Sequence, residues 1–282
     1  MGDLVIGAFS TMDWLRCEAF VVSVRKYCPK TRCMAVGIFV EETARKLLEH
    51  GFELFEHDWL LDYTMLYIHP NNARWWPIAD ALRRTRADRV FLSDTRDVVL
   101  QGDIFKHVPD RGILVPMEGM KFSESEINAQ WLEFFFQQTY KKTSIEEVQD
   151  WDVSCCGTLL GRMTDLRWYT YQMVRQLSIM LKGLTRVSDQ AIHNWLMNQV
   201  DPARFHRTDQ DGEIMATMSA TADDVDYESV KNHVVLHQYE QRPKVRKEVY
   251  RQLGLSEDPQ RWSKKSTNLN LAEAYGWTVW AI

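Results

Sequence analysis

An apolar run, Val90, Phe91 and Leu92, ends at Asp94, meets a second carboxylate at Asp97, and resumes with Val98, Val99 and Leu100. Short apolar runs of this kind, closed by polar residues, read as strands buried on both faces. Residues 88–105 therefore read as a strand, a turn carrying two carboxylates, and a second short strand. In open α/β sheets, ligands gather outside the carboxyl ends of the strands. Two carboxylates delivered there can hold a hard divalent cation such as Mg2+ or Mn2+, which takes oxygen ligands and leaves positions for substrate phosphates. A plain polar turn with two solvated aspartates would be written the same way, so the flanking chain has to decide.

The residues before this stretch give it a sheet to belong to. Residues 4–9 are an apolar run of strand length, followed by Thr11 as a candidate N-cap. Trp14, Cys17, Phe20, Val21 and Val24 then fall on one helical face, and the helix stops before Pro29. Residues 34–40 read as a buried strand, 41–49 as a helix with Gly51 just past its end, and 53–55 as a third strand. The β-α-β-α-β order predicts a parallel sheet with crossover helices. No G-x-G-x-x-G follows the first strand, which argues against a dinucleotide site. Pro77 suits the first turn of a helix striped by Ile78, Ala81 and Leu82, with Arg74 at or just before its start.

Beyond the two carboxylates, residues 112–116 read as a strand followed by Glu118, and 124–140 as a helix. The segment WDVSCCGTLLG, residues 151–161, places small residues and Gly157 before an apolar strand, and residues 164–184 form a long amphipathic helix. Ser188 is a candidate N-cap, with Asp189 and Gln190 in the first turn, where the helix dipole favours a carboxylate. Capping alone would account for Asp189. Residues 201–227 are polar and read as a loop or hairpin, and residues 234–236 as a buried strand followed by His237, with Arg242 and Lys244 beyond. The closing YGWTVWAI reads as a last strand or a docking tail.

Bulk properties exclude more than they identify. With 45% hydrophobic and 26% charged residues the chain is ordinary for a globular protein, and a net charge of −5 gives no sign of a nucleic-acid surface. An odd count of five cysteines, two of them adjacent at Cys155 and Cys156, predicts a reduced, cytoplasmic protein. No signal-peptide pattern opens the sequence, and no apolar run approaches the length of a membrane span.

Three elements in this order resemble the GT-A glycosyltransferases, which take sugars from nucleotide-sugar donors. They are D-x-x-D after a strand, D-Q at a helix start, and strand-His followed by a basic residue. The family usually writes D-x-D; here Arg96 intervenes, as in the D-x-R-D of some branches. The resemblance leaves open which of Asp94 and Asp97 takes the metal and which the ribose.

The resemblance implies a single α/β domain of the GT-A, Rossmann-like type, with a mixed, mostly parallel sheet flanked by helices. Its donor-nucleotide half would cover about residues 1–105, and its sugar and acceptor half about 106–282. It implies a UDP- or GDP-linked sugar donor, a carbohydrate or other hydroxyl acceptor, and Mn2+ or Mg2+ held by Asp94, Asp97 and His237. Ala8, Phe9 and Ser10 would line the base pocket; Arg74 and Arg242 would meet the donor phosphates. Gly157 would let the sugar approach the backbone, and Glu118 falls among the donor-binding residues. Asp189 would lie beneath the transferred sugar and Gln190 would hold it, an arrangement of the retaining type. An inverting enzyme would instead need a carboxylate base, for which Glu118 and Asp152 are the candidates. A non-catalytic nucleotide-sugar-binding protein would keep the same fold.

Overall fold

The structure is a computed structural model and describes residues 2–10, 12–56, 68–139, 144–180, 185–208, 214–218 and 225–257. The chain opens with β1 (Asp3–Ser10), α1 (Trp14–Tyr27), β2 (Arg32–Ile38), α2 (Glu41–Glu49) and β3 (Phe52–Glu56). A short α3 (Pro70–Ala73) leads into α4 (Trp75–Arg84), then β4 (Arg89–Ser93) and β5 (Val98–Leu100). β6 (Ile113–Lys121), α5 (Glu126–Thr139), β7 (Asp152–Ser154), β8 (Thr158–Arg162), α6 (Met163–Ile179) and α7 (Asp189–Trp195) follow. The last elements are β9 (Phe205–Thr208), β10 (Met215–Thr217), α8 (Tyr227–Val230), β11 (Val235–His237) and α9 (Pro243–Leu253).

The main sheet has the order β3-β2-β1-β4-β8-β6-β7, with β9 paired to β6. The first four strands are parallel, as the β-α-β-α-β pattern predicts. β8 then enters antiparallel to β4, and β6 antiparallel to β8. Alternate residues of each central strand serve opposite faces. Leu4, Ile6, Val90 and Leu92 pack with Trp75, Leu82 and Tyr169 of α4 and α6. Val5, Phe9, Phe91 and Leu160 pack with Phe20 and Leu47 of α1 and α2. With helices on both faces, the central strands have no polar side, which is why they read as continuous apolar runs. Each fully buried aromatic or aliphatic side chain contributes about 1.5–3 kcal/mol.

A second sheet, β10-β11-β5, determines where the site lies. β5 leaves the main sheet and pairs antiparallel with β11, so Leu236 faces Val99 and His237 faces Val98. It packs through Val99 and Leu236 against Ala19 of α1 and Val249 and Tyr250 of α9.

Several elements differ from the sequence reading. β6 runs five residues past Pro116, so Glu118 lies inside a strand; its outer half pairs with β7 after a register shift. The polar residues 201–227 include two strands: in β9 only Phe205 and Thr208 are buried, too short an alternation to stand out. Residues 243–253, of which the sequence reading singled out only Lys244, form α9, opened by Pro243, packed through Val245, Val249 and Tyr250, and closed by Gly254 in the left-handed region. Gly51 does follow α2 with φ +71. Thr11 and the YGWTVWAI segment lie outside the described residues. Among the described residues no helix is long and apolar enough to cross a membrane.

Candidate functional site

A cleft of about 370 Å³ opens at the carboxyl ends of β1 and β4. Ala8, Phe9 and Met12 line it from the end of β1, where Ser10 is the last strand residue. Asp94 to Asp97 line it after β4, Cys155 to Gly157 before β8, Asp189 and Gln190 at the start of α7, and His237 and Gln238 at the end of β11. Thr95 ties the first two walls together, its hydroxyl donating to the Ala8 carbonyl at 2.7 Å. A larger cavity of about 790 Å³ lies at the opposite end of the sheet, beside Asp88, Gly112 and Arg162. Its charges largely answer one another, as Arg204 does Asp165 at 2.6 Å and Asp201 at 2.9 Å, and among the described residues it brings no group of three possible metal ligands together.

Asp94, Asp97 and His237 each bring a ligand atom to one point, all within 4.8 Å of one another. Nε2 of His237 lies 3.7 Å from Asp94 Oδ2 and 3.6 Å from Asp97 Oδ1. The backbone explains the convergence. Asp97 immediately precedes β5, His237 closes β11 opposite Val98, and the Gln238 amide donates to the Asp97 carbonyl at 2.8 Å. Gln238 has φ 61, the left-handed region, at the point where the chain turns away from the site.

Asp94 is fixed from the other side. Its amide donates to the Gly157 carbonyl at 2.7 Å, continuing the β4–β8 ladder past Ser93 and Thr158. A Cβ at Gly157 would lie 2.4 Å from His237 Cε1 and 2.7 Å from Asp94 Oδ2, so only glycine leaves room here for both side chains.

The electrostatics favour positive charge between the carboxylates. Burial opposes charge on His237, but the sulfur of Cys155, 3.6 Å from Nδ1, and the Asp97 carboxylate outweigh it and lift the ring to about 10. Burial likewise opposes charge on Asp97, and His237 more than offsets it, holding the carboxyl below the ordinary range. Two carboxylates and an imidazole in reach of one point could hold a divalent cation, which would displace the ring proton.

One guanidinium links this cluster to a second one. Arg74 caps α4 and donates from Nη1 to Asp94 and from Nη2 to Asp189 Oδ2, the latter at 2.8 Å. Asp189 is 1% exposed. The same Oδ2 also accepts from the Trp75 indole at 3.2 Å and the Cys156 thiol at 3.5 Å, and Oδ1 accepts from the Gln190 amide at 3.0 Å. Burial disfavours charge on Arg74, but the neighbouring Asp189 keeps it firmly protonated. Gln190 donates from Nε2 to Glu118 at 2.9 Å and to Asn128 at 2.7 Å.

Of the residues singled out in the sequence, the structure brings Ala8, Phe9, Arg74, Asp94, Asp97, Gly157, Asp189, Gln190 and His237 to one cleft. Glu118 is 3% exposed and meets Gln190 without lining the cleft. Asp152 is exposed and pairs with Arg207 at 3.3 Å. Arg242 caps the buried start of α9, donates to the Met218 carbonyl at 3.4 Å and does not line the cleft. Sequence reasoning missed Met12, Trp131 and Gln238, which do line it. Trp131 carries no local signal, since aromatic residues on an amphipathic helix ordinarily pack inward.

No protein-family model matches the chain, and no curated protein matches it. Solved structures do. The galactosyltransferase LgtC, solved in complex with donor and acceptor sugar analogues, superposes with a TM-score of 0.58 at 14% identity, covering 93% of this chain and 100% of that one. A second LgtC structure, with an active-site substitution, gives 0.53 at 13% identity over 83% of this chain and 86% of that one. The bifunctional glycosyltransferase WbbM, in its apo form, gives 0.52 at 12% identity, covering 84% of this chain and 45% of that one. The fold expected from the sequence, a mixed, mostly parallel GT-A sheet between helices, is the fold the chain has.

Proposed function

We propose that this GT-A chain is a metal-dependent glycosyltransferase that moves a sugar from a nucleoside-diphosphate donor to an acceptor hydroxyl with retention of configuration. The observation that carries the reading is the convergence of Asp94, Asp97 and His237 within 4.8 Å, joined through Arg74 to Asp189. The likeness to LgtC, a galactosyltransferase solved with donor and acceptor sugar analogues, supports it.

In this reading Asp94, Asp97 and His237 hold Mn2+ or Mg2+, which when bound offsets the charge of the diphosphate leaving group. Ala8, Phe9 and Ser10 take the base at the end of β1. Arg74 lines the cleft beside the cation cluster, where its guanidinium can form a charge-assisted hydrogen bond to a phosphate oxygen. We assign the diphosphate to Arg74 ahead of Arg242, which does not line the cleft. Gly157 admits the sugar close to the backbone. Gln190 orients a sugar hydroxyl, and Glu118 orients Gln190 from behind. The five cysteines, all free and buried, suit a reducing compartment such as the cytoplasm.

The placement of the carboxylates supports retention. Those lining the cleft among the described residues are Asp94, Asp97 and Asp189. The first two form the cation cluster, and both oxygens of Asp189 are engaged. Glu118 and Asp152, the candidate bases of an inverting enzyme, do not line the cleft. Among the described residues no further carboxylate lines the cleft, and in this reading attack comes from the leaving-group side. The bond from the anomeric carbon to the phosphate oxygen breaks, the acceptor oxygen bonds to that carbon on the same face, and its proton passes to the departing phosphate. Asp189, held in place by Arg74, stabilises the positive charge that develops on the sugar.

Calorimetry with a panel of UDP- and GDP-sugars, with and without Mn2+, tests the reading. We expect at least one donor to bind with Mn2+ and to lose affinity when EDTA removes it. Binding of every nucleotide sugar that ignores the metal, or none at all, contradicts it.

A further inference from the structure

Helix α7 has seven residues and begins at Asp189, so its first amides have no partners within the helix. Ser188, at the N-cap position, does not supply one: its hydroxyl donates back to the Arg186 carbonyl at 3.2 Å. The partner comes from far away in the chain. Asn72 lies on α3 and is 0% exposed. Its Oδ1 accepts from the Ser188 amide at 3.0 Å and the Asp189 amide at 3.1 Å, and its Nδ2 donates to the Arg186 carbonyl at 2.7 Å.

Asn72 therefore caps α7 across the fold, and it does so beside Arg74 and Trp75, which both donate to the Asp189 carboxylate. Within four consecutive residues, Asn72 holds the main chain of Asp189 while Arg74 and Trp75 hold its side chain. A carboxylate fixed only at its oxygens could follow the guanidinium as Arg74 exchanges Asp94 for a ligand. Fixed also at its amide, it stays where it is. The Asp189 amide has no acceptor within its own helix, so the position of Asp189 depends on the side-chain amide of Asn72.

We propose that Asn72 is a positioning residue for glycosyl transfer, setting Asp189 at a fixed distance from the cation cluster and so placing its charge beneath the reacting sugar carbon. The functional half of this inference rests on the reading given under Proposed function; the geometric half stands without it.

The test uses Asn72→Ala and Asn72→Asp in the full chain. The Asp variant keeps an oxygen for the two amides and, protonated in this fully buried place, a donor for the Arg186 carbonyl, and it carries the comparison with the parent should the Ala variant not fold. The first readout needs no donor: the indole N–H of Trp75 in a proton–nitrogen correlation spectrum, assigned through Trp75→Phe. We expect this resonance to shift or broaden in Asn72→Ala and to stay near its parent position in Asn72→Asp. The second readout is Mn2+-dependent hydrolysis of UDP-galactose, UDP-glucose and GDP-mannose, whichever the parent turns over. We expect kcat to fall at least tenfold in Asn72→Ala, with Mn2+ and free-nucleotide affinities within twofold of the parent, and Asn72→Asp to recover most of the rate.

An unmoved Trp75 resonance in Asn72→Ala overturns the proposal, as does a kcat loss matched by equal losses of Mn2+ and nucleotide affinity. If Asn72→Asp alone folds, a displaced Trp75 resonance or a tenfold lower kcat in it overturns the proposal in the same way. If the parent hydrolyses no donor, the function proposed above fails, while the Trp75 resonance still decides whether Asn72 sets Asp189.

Discussion

His237 stands opposite Val98 in the β5–β11 ladder, and through that pairing it meets Asp97, the residue before Val98. The two would-be ligands are 140 residues apart in sequence, and an antiparallel pairing of three residues aligns them. The apolar run after the D-x-x-D turn thus has a purpose beyond packing.

Replacing Asp97 by Ala removes one ligand from this cluster without opening a core cavity, since the side chain is about a quarter exposed. Mn2+ affinity, read by electron paramagnetic resonance, should fall at least tenfold, or about 1.4 kcal/mol. The thermal midpoint without metal should stay near that of the parent. Unchanged Mn2+ affinity would move the cation elsewhere.

Gly157→Ala tests how tightly the site is closed. The added methyl meets His237 and Asp94 at distances no ordinary contact allows. Overpacking of this kind costs about 1–3 kcal/mol. We expect lower stability together with weaker Mn2+ binding, whereas Gly254→Ala, which meets nothing within 4 Å, should lose stability only through its positive φ and bind Mn2+ normally.

Arg74→Ala leaves Asp94 and Asp189 without their shared cation. Breaking a buried pair costs about 3–5 kcal/mol because the remaining charge has no partner. Mn2+ should then raise the thermal midpoint of the variant more than that of the parent, since a cation at Asp94 replaces part of the lost charge. An equal shift in both proteins would show that Arg74 and the cation cluster are electrostatically independent.

Most of the first half of the main sheet was legible in the sequence because parallel strands covered on both faces announce themselves as apolar runs. Asp94, Asp97, Asp189, Gln190 and His237 stand at the ends of elements, where local patterns mark them. What local reading misses is made by distant partners. Asn72 caps a helix that begins 117 residues later, and nothing around either residue signals the other. Arg242 looked like a phosphate ligand because it follows a strand and a histidine, but the chain turns at Gln238 and Arg242 becomes the N-cap residue of α9, outside the cleft lining. The length of β6 was hidden because its outer half pairs with the three-residue β7 across a register shift.

Glu240 predicts a pH effect for the metal-free protein. Burial, then the charge of Asp97, raise its carboxyl to about 7, despite Arg96 at 3.3 Å. The folded protein therefore holds this proton more tightly than the unfolded chain. Its contribution is fully present below the unfolded carboxylate range near pH 4.5 and is lost as pH rises through about 7. Glu240→Gln, which cannot ionise, should be more stable than the parent at pH 8 and similar to it at pH 4. Chemical denaturation of the two proteins at both values checks this; equal stability at pH 8 would place Glu240 in a more solvated setting.

The account stands most directly on turnover. The parent protein, incubated with Mn2+ and an α-linked UDP- or GDP-sugar that it binds, is followed by proton NMR of the anomeric region from the first minutes. We predict release of nucleoside diphosphate that stops with EDTA and in Asp97→Ala, with the new anomeric signal appearing first as the α form. Donor that stays intact, or a product that appears first as the β form, contradicts the account.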